Sequence, residues 1–164
     1  MAHQDILMAW LNDAYSMENA LIQVLENHAK DAKDHPQVQS KIQEHLEVTR
    51  CHADRVKARI QALGGDTSAI KSGLANIFGT VQGMSSGAAK DELVKNGISD
   101  YAAEQFEVAS YRALIAGAQT IGDQETVRVC QENLREDEEM ARWLEQNLPL
   151  TVQEFMQSQL ASHG

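Results

Sequence analysis

Proline, the residue that most strongly interrupts helices, occurs only twice in this chain of 164 residues, at Pro36 and Pro149. The remaining sequence is rich in Ala, Gln, Glu, Leu and Met, which favour helices, and it contains no alternating runs of β-branched and aromatic residues. These features predict an all-α protein. Apolar residues make up 43% of the chain, which is enough to fill the core of one helical bundle.

Apolar residues recur at helical spacing in four long segments. These segments predict helices over about 4–33, 36–63, 88–121 and 123–147. The connections between the first two helices and between the last two are short, whereas a Gly/Ser-rich crossover of about 64–87 separates the two pairs. This pattern is typical of a four-helix bundle made of two antiparallel helix pairs.

Apolar residues within the crossover predict a short helix or docked turn there, and they are Leu74, Ile77, Phe78 and Val81. Pro149 predicts a break after the fourth helix. Thr151 and Glu154 have the spacing of a capping box, which predicts a short separate C-terminal helix. We therefore expect a single domain over 1–164, with a core bundle of about 4–147 and a C-terminal extension of 148–164.

The charge balance and the cysteine count exclude several classes of protein. Fourteen basic and 24 acidic residues give a formal net charge of −10, which argues against nucleic-acid binding. No apolar stretch is long enough to span a membrane, and the first ten residues lack the features of a signal peptide. Two cysteines do not make a disulfide framework. We expect a cytoplasmic protein.

Acidic residues lie on the apolar stripes of three helices. Glu18 lies on the apolar stripe of the first helix, and Asp137 lies on that of the fourth. Glu104 lies on the stripe of the third helix, and Glu107 follows it by one turn. On the second helix the stripe contains Thr49, which His45 and His52 flank. All of these positions are near the middle of their helices, so an antiparallel bundle would bring them to one level.

Burying several ionised carboxylates together is unfavourable unless something compensates their charge. One or two divalent cations with carboxylate and imidazole ligands would do so, and Fe, Mn and Zn all accept that mixture. The candidate ligands are Glu18, His52, Glu104, Glu107 and Asp137. The candidate supporting residues, which would hydrogen-bond to the ligands, are His45, Thr49, Tyr15, Tyr101 and Tyr111. His28, like the histidines at the chain ends, is expected to be solvated.

The segments around these residues resemble the bacterial stress-associated ferritin-like proteins of the YciE/YciF type. The likeness covers about 4–147 and is carried by Asp13–Glu18, His45–His52, Glu104–Tyr111 and Leu134–Asp137. It implies a helical bundle, often dimeric, with a di-metal carboxylate centre of Fe or Mn. If the centre is an oxidoreductase site, its candidate chemistry is the reduction of O₂ or peroxide, with a small-molecule oxidant as the partner. We expect a homodimer.

The sequence also departs from the ferritin-like pattern. The Glu-x-x-His motif is absent, Val48 occupies the place of the family's usual Glu, and Ala141 occupies the place of a frequent Asp. These departures leave two classes of function open. One is a metal-dependent oxidoreductase with a complete or remodelled site, and the other is a non-enzymatic structural or interaction protein with a metal-free polar core.

Overall fold

The computed structural model describes residues 3–67 and 90–162, and this part of the chain contains four long helices and no strand. The helices are α1 (His3–Asp31), α2 (Pro36–Ala62), α3 (Glu92–Ile121) and α4 (Gln124–Ala161). Helix α1 packs mainly against α2, and α3 mainly against α4, with α1 also contacting α3. The predicted all-α bundle of two helix pairs is confirmed. The apolar segment predicted around Leu74–Val81 lies outside the described residues.

Local sequence explains several of the positions at which helices begin or end. Pro36 is the first residue of α2, where its missing N–H needs no partner. Gly122 ends α3 in the left-handed conformation, with φ of 79°, which glycine adopts without steric cost. Asp123 then caps α4 by accepting a hydrogen bond of 3.0 Å from the Thr126 backbone N–H. The predicted start of α3 near residue 88 is early by a few residues, because Lys90 and Asp91 form a turn and the helix begins at Glu92.

The predicted break at Pro149 is wrong, since α4 continues through it to Ala161 and no separate C-terminal helix forms. An interior proline removes one backbone hydrogen bond and crowds the carbonyl four residues back, which can kink a helix without ending it. Side chains supply further bonds in the same turns: Asn147 Nδ2 donates to the Trp143 carbonyl at 2.8 Å, and Thr151 Oγ1 donates to the Asn147 carbonyl at 3.1 Å. The Thr151 hydroxyl therefore bonds backwards along an unbroken helix instead of capping a new one.

Two apolar clusters fill the inside of the bundle. One contains Leu11, Val56 and Leu114, and the other contains Leu25 and Ile42. Along α2, the polar side chains predicted to form a site fall between these clusters. The bundle therefore holds a polar layer between two apolar layers. Within the described ranges, no helix combines the length and the apolar character that a membrane crossing requires.

Candidate metal centre

The structure brings all five predicted ligands into the polar layer. Glu18 comes from α1, His52 from α2, Glu104 and Glu107 from α3, and Asp137 from α4, and all five are buried. They form two overlapping groups, and in each group one potential ligand atom per residue lies within 4.8 Å of the others. The first group is Glu18, His52, Glu107 and Asp137, and the second is His45, Glu104, Glu107 and Asp137.

Glu107 and Asp137 belong to both groups, so each could serve two ions at once. His45 differs from the expectation, because the structure places it among the potential ligands and not outside them. Its Nε2 atom lies 2.7 Å from Glu104 Oε1, yet the approach lacks the direction of a hydrogen bond. From the sequence we expected His45 to be a supporting residue that hydrogen-bonds to a ligand.

Many polar atoms of the centre have no hydrogen-bond partner in the described structure. The unpartnered atoms are Glu18 Oε2, His45 Nε2, His52 Nδ1, Glu104 Oε2 and both carboxylate oxygens of Glu107 and of Asp137. Buried polar atoms are normally paired, since leaving one unpaired costs about 1–3 kcal/mol. Such a concentration of unpaired donors and acceptors marks this layer as different from the rest of the interior.

Burial and mutual repulsion oppose ionisation of the acids. Burial raises the pKa of Glu104, although the charge of His45 partly offsets it. The pKa of Glu107 is raised well above its ordinary value by burial and by the charge of Asp137. That of Asp137 is raised similarly, by burial and by the charge of Glu18. The protein alone therefore does not supply enough positive charge to keep these carboxylates ionised.

His52 is held by residues that the sequence did not reveal. Its Nε2 lies 2.9 Å from Glu136 Oε2, which also accepts a 2.6 Å hydrogen bond from Arg55. Burial opposes ionisation of Glu136, but the hydrogen bonds from Arg55 and His52 outweigh it and lower its pKa. An ionised carboxylate only accepts, so we assign the ring proton to Nε2. The lone pair of Nδ1 then faces Glu18 Oε1 at 3.6 Å and Asp137 Oδ1 at 3.4 Å.

A second chain of hydrogen bonds fixes Glu18. The Tyr111 hydroxyl donates to Glu18 Oε1 and accepts a 2.9 Å bond from Asn133 Nδ2, whose Oδ1 accepts a 3.0 Å bond from Arg55. Arg55 thus supports both Glu18 and His52. The only sequence indication of these partners was spacing, since Arg55 follows His52 by three residues and Asn133 precedes Asp137 by four.

The other predicted supporting residues have smaller roles. Thr49 is fully buried in the same layer, but its hydroxyl donates to the His45 backbone carbonyl at 3.0 Å. Tyr15 and Tyr101 are half-buried, and no hydrogen bond between described residues joins their hydroxyls to the central acids. Val48 is half-buried and Ala141 is buried.

The expectation that His28 is solvated is wrong. It is buried near the end of α1, and its Nδ1 lies 2.7 Å from Asp100 Oδ1 on α3. Burial lowers the pKa of His28, but the hydrogen bond and charge of Asp100 outweigh this effect and raise it. His28 continues the apolar stripe of α1, and the helix extends to Asp31, so its stripe position decides its burial.

Comparison with known proteins agrees with this architecture. A family described as Domain of unknown function (DUF892) matches residues 2–157. The chain belongs to this family. This chain is similar to the crystal structure of a protein from Xanthomonas campestris pv. campestris, which is 29% identical over 98% of this chain and 99% of that one, with a TM-score of 0.82.

Two further structures share the fold with this DUF892 member at lower identity. The Escherichia coli stress protein YciF is 18% identical over 93% of this chain and 98% of its own, with a TM-score of 0.81. A dodecameric thioferritin from Bacteroides fragilis, described as bacterioferritin-related, is 20% identical over 96% and 90% of the two chains, with a TM-score of 0.66. The family match and these folds confirm the predicted YciE/YciF-type ferritin-like resemblance.

Proposed function

We propose that this protein is a ferritin-like di-metal carboxylate protein that binds two Fe or Mn ions in its polar layer. The observation that carries the proposal is the set of unpartnered carboxylate and imidazole atoms, which belong to two groups of four residues with two members in common. Carboxylate oxygen and imidazole nitrogen suit Fe and Mn, and Zn also accepts them. The residues present therefore fit such ions.

The charge of the centre favours two ions over one. Four carboxylates contribute a charge of minus four when ionised, and two divalent cations neutralise it. Glu18 and His52 would hold one ion, His45 and Glu104 would hold the other, and Glu107 and Asp137 would bridge them. His45 thereby supplies an imidazole from α2, the helix on which Val48 occupies the place of the family's usual Glu.

The bound ions would supply one-electron redox chemistry toward O₂ or peroxide. The chain's own contribution is to keep the ligands in place and dry. Arg55 and Glu136 orient His52, Tyr111 and Asn133 orient Glu18, and the apolar layers on both sides exclude bulk water. We propose an oxidant of small size, since the ligands are completely buried.

A non-enzymatic structural protein with a metal-free core is the second candidate. The absence of Glu-x-x-His and the presence of Val48 and Ala141 favour it, because each removes a ligand that ferritin-like sites usually have. In that case the raised carboxyl pKa values would keep the buried acids neutral, and no cation would be needed.

Titration of the metal-free protein with Mn²⁺ or anaerobic Fe²⁺, followed by calorimetry, separates the two candidates. We expect two ions per chain in the wild type. Glu107→Gln should abolish binding of both ions because Glu107 belongs to both groups, whereas His45→Gln should leave one. Glu139→Gln, a matched change at an exposed acid of α4, should bind like the wild type. Absence of binding by the wild type would favour the metal-free candidate.

We also propose that the protein works as a cytoplasmic homodimer. Both cysteines are free thiols, which suits a reducing compartment. The C-terminal part of α4 exposes several large apolar side chains, which a second copy would cover. These residues are Leu150, Val152, Met156 and Leu160. Light scattering should give the mass of a dimer for the full chain and that of a monomer for a chain ending at residue 148.

A further inference from the structure

Helix α3 carries a polar side chain at every fourth position from its first residue to the centre. The series is Glu92, Asn96, Asp100 and Glu104. Residues four apart on a helix lie on the same face, and four residues advance the helix by about 6 Å. One stripe of oxygen-bearing side chains therefore connects the end of the bundle with the candidate metal centre.

Other helices contribute a polar partner at each inner step of this stripe. Asn96 Nδ2 donates to Asp31 Oδ2 at 3.0 Å, and Asp100 pairs with His28 at 2.7 Å. Glu104, the last step, lies against His45, which is one of the potential ligands. Asp31 is exposed, whereas Asn96, Asp100 and Glu104 are buried. We call the six residues from Asp31 to Glu104 in these three pairs the polar seam, and it begins at solvent.

A small cavity adjoins the seam at its outer half. It has a volume of about 20 Å³, which is room for one water molecule, and Asn96 and Asp100 line it together with apolar residues such as Ile42 and Leu144. Asn96 is 2% exposed, and its Oδ1 has no hydrogen-bond partner. An unpaired carbonyl oxygen beside a space of this size is suited to transient binding of a cation, which accepts an electron pair from the oxygen.

We propose that the polar seam is the route by which a divalent cation enters and leaves the centre. The inference rests on the proposed function, because it assumes that the centre binds cations. Carboxylate and amide oxygens are ligands for hard divalent cations, and their spacing lets an ion exchange one for the next. A route must bind its ion weakly, and the pairing of Asp100 with His28 satisfies this condition because the imidazole competes with the ion.

A route can be distinguished from a binding site by kinetics. A residue that contacts the ion only in transit changes the rates of entry and release by the same factor, so the dissociation constant stays the same. Co²⁺ is a suitable probe, since its visible absorbance changes on binding to carboxylates and imidazoles. Stopped-flow mixing with the metal-free full-length protein gives the entry rate, and an EDTA chase gives the release rate.

Asn96→Leu places an apolar side chain of similar size in the seam. We expect both rates to fall by roughly tenfold, which corresponds to about 1.4 kcal/mol in the barrier, with an unchanged dissociation constant. Asn12→Leu is the matched control, since it makes the same change on α1 outside the seam, and it should load like the wild type. Asp31→Asn at the exposed mouth should slow entry by about two- to threefold at low salt and less at high salt.

Asp31 is exposed, so its replacement tests the route even if the Asn96 variant does not fold. Asp54→Asn removes the same charge from an exposed position of α2 and should not slow entry. Wild-type rates in both seam variants would overturn the route while leaving the metal centre intact. A weakened equilibrium affinity with an unchanged entry rate would also overturn it. Failure of the wild type to bind Co²⁺ at all would instead overturn the centre, and the route with it.

Discussion

The bundle buries imidazoles and acids in two regions, and the two regions differ in how their charges are paired. Near the bundle end, one imidazole meets one carboxylate, with His28 Nδ1 2.7 Å from Asp100 Oδ1. At the centre, four carboxylates meet two imidazoles, and both oxygens of Glu107 and Asp137 lack partners. Burial of histidine with an acid is therefore not sufficient ground for proposing a metal site. Our proposal rests instead on the excess of unpaired ligand atoms at the centre.

The largest expected effect comes from breaking the pair at the bundle end. His28→Leu leaves Asp100 buried without its partner, which should destabilise the protein by about 3–5 kcal/mol. The double variant His28→Leu/Asp100→Leu removes both charges and should recover most of that loss. Urea unfolding of the three proteins measures the free energies. Equal losses in the single and double variants would show that the pair is not what stabilises this region.

The next effect concerns the support of His52 at the centre. Glu136→Gln removes the carboxylate that holds the proton on Nε2, and it should weaken Mn²⁺ binding by about 10–100-fold. Glu138→Gln is the matched control, because Glu138 is two residues further along and pairs with Arg112 on the surface, at 2.7 Å. Calorimetric titration measures both. Equal affinities in the two variants would contradict an orienting role for Glu136.

A smaller effect, of opposite sign in the two regions, is expected when one acid becomes an amide in the metal-free protein. Glu107→Gln replaces a buried carboxyl whose ionisation its neighbours oppose and provides an N–H donor to Asp137, so stability at neutral pH should rise by roughly 1 kcal/mol. Asp100→Asn weakens a satisfied pair, so stability should fall by about 1–3 kcal/mol. Thermal unfolding in EDTA tests both signs. A loss of stability in both variants would show that the acids of the centre, like Asp100 at the bundle end, are stabilised by partners within the protein.

The smallest expected effect is a pH dependence in the metal-free protein. The raised pKa values of Glu107 and Asp137 mean that the folded chain keeps protons that the unfolded chain releases. This contribution to stability is complete below the unfolded carboxyl pKa of about 4, and it is lost as the pH rises through the folded values. In EDTA, the free energy of unfolding of the wild type should fall more steeply with rising pH than that of Glu107→Gln. Parallel curves would refute the raised pKa of Glu107.

The sequence predicted the level of the centre because helical periodicity fixes both face and height. Glu18, Glu104 and Asp137 lie on apolar stripes near the middle of long helices. The face of the helix and the height along it follow from sequence position alone, whatever the details of side-chain packing. The same periodicity placed His28 on the stripe of α1. The expectation that His28 is solvated rested on its position near the end of α1. The structure shows that its position on the apolar stripe is the better guide.

Contacts between side chains of different helices could not be predicted from the sequence. Glu136 lies in an acidic run that reads as a solvated face, and only the packing of α2 against α4 brings it to His52. The inclusion of His45 among the potential ligands likewise depends on how α2 is rotated against α3. Pro149 shows the opposite error, since a strong local rule is overridden by the remaining hydrogen bonds of α4.

The most direct test of the account is a crystal structure of the full-length protein grown with Mn²⁺, with anomalous data collected at the manganese edge. We predict two anomalous peaks in the centre, both in contact with Glu107 and Asp137, one of them beside His52 and the other beside His45. We predict no retained peak between His28 and Asp100. Absence of peaks in the centre, or a fully occupied peak at the His28–Asp100 pair, would contradict the claim that unpaired ligand atoms distinguish the metal site.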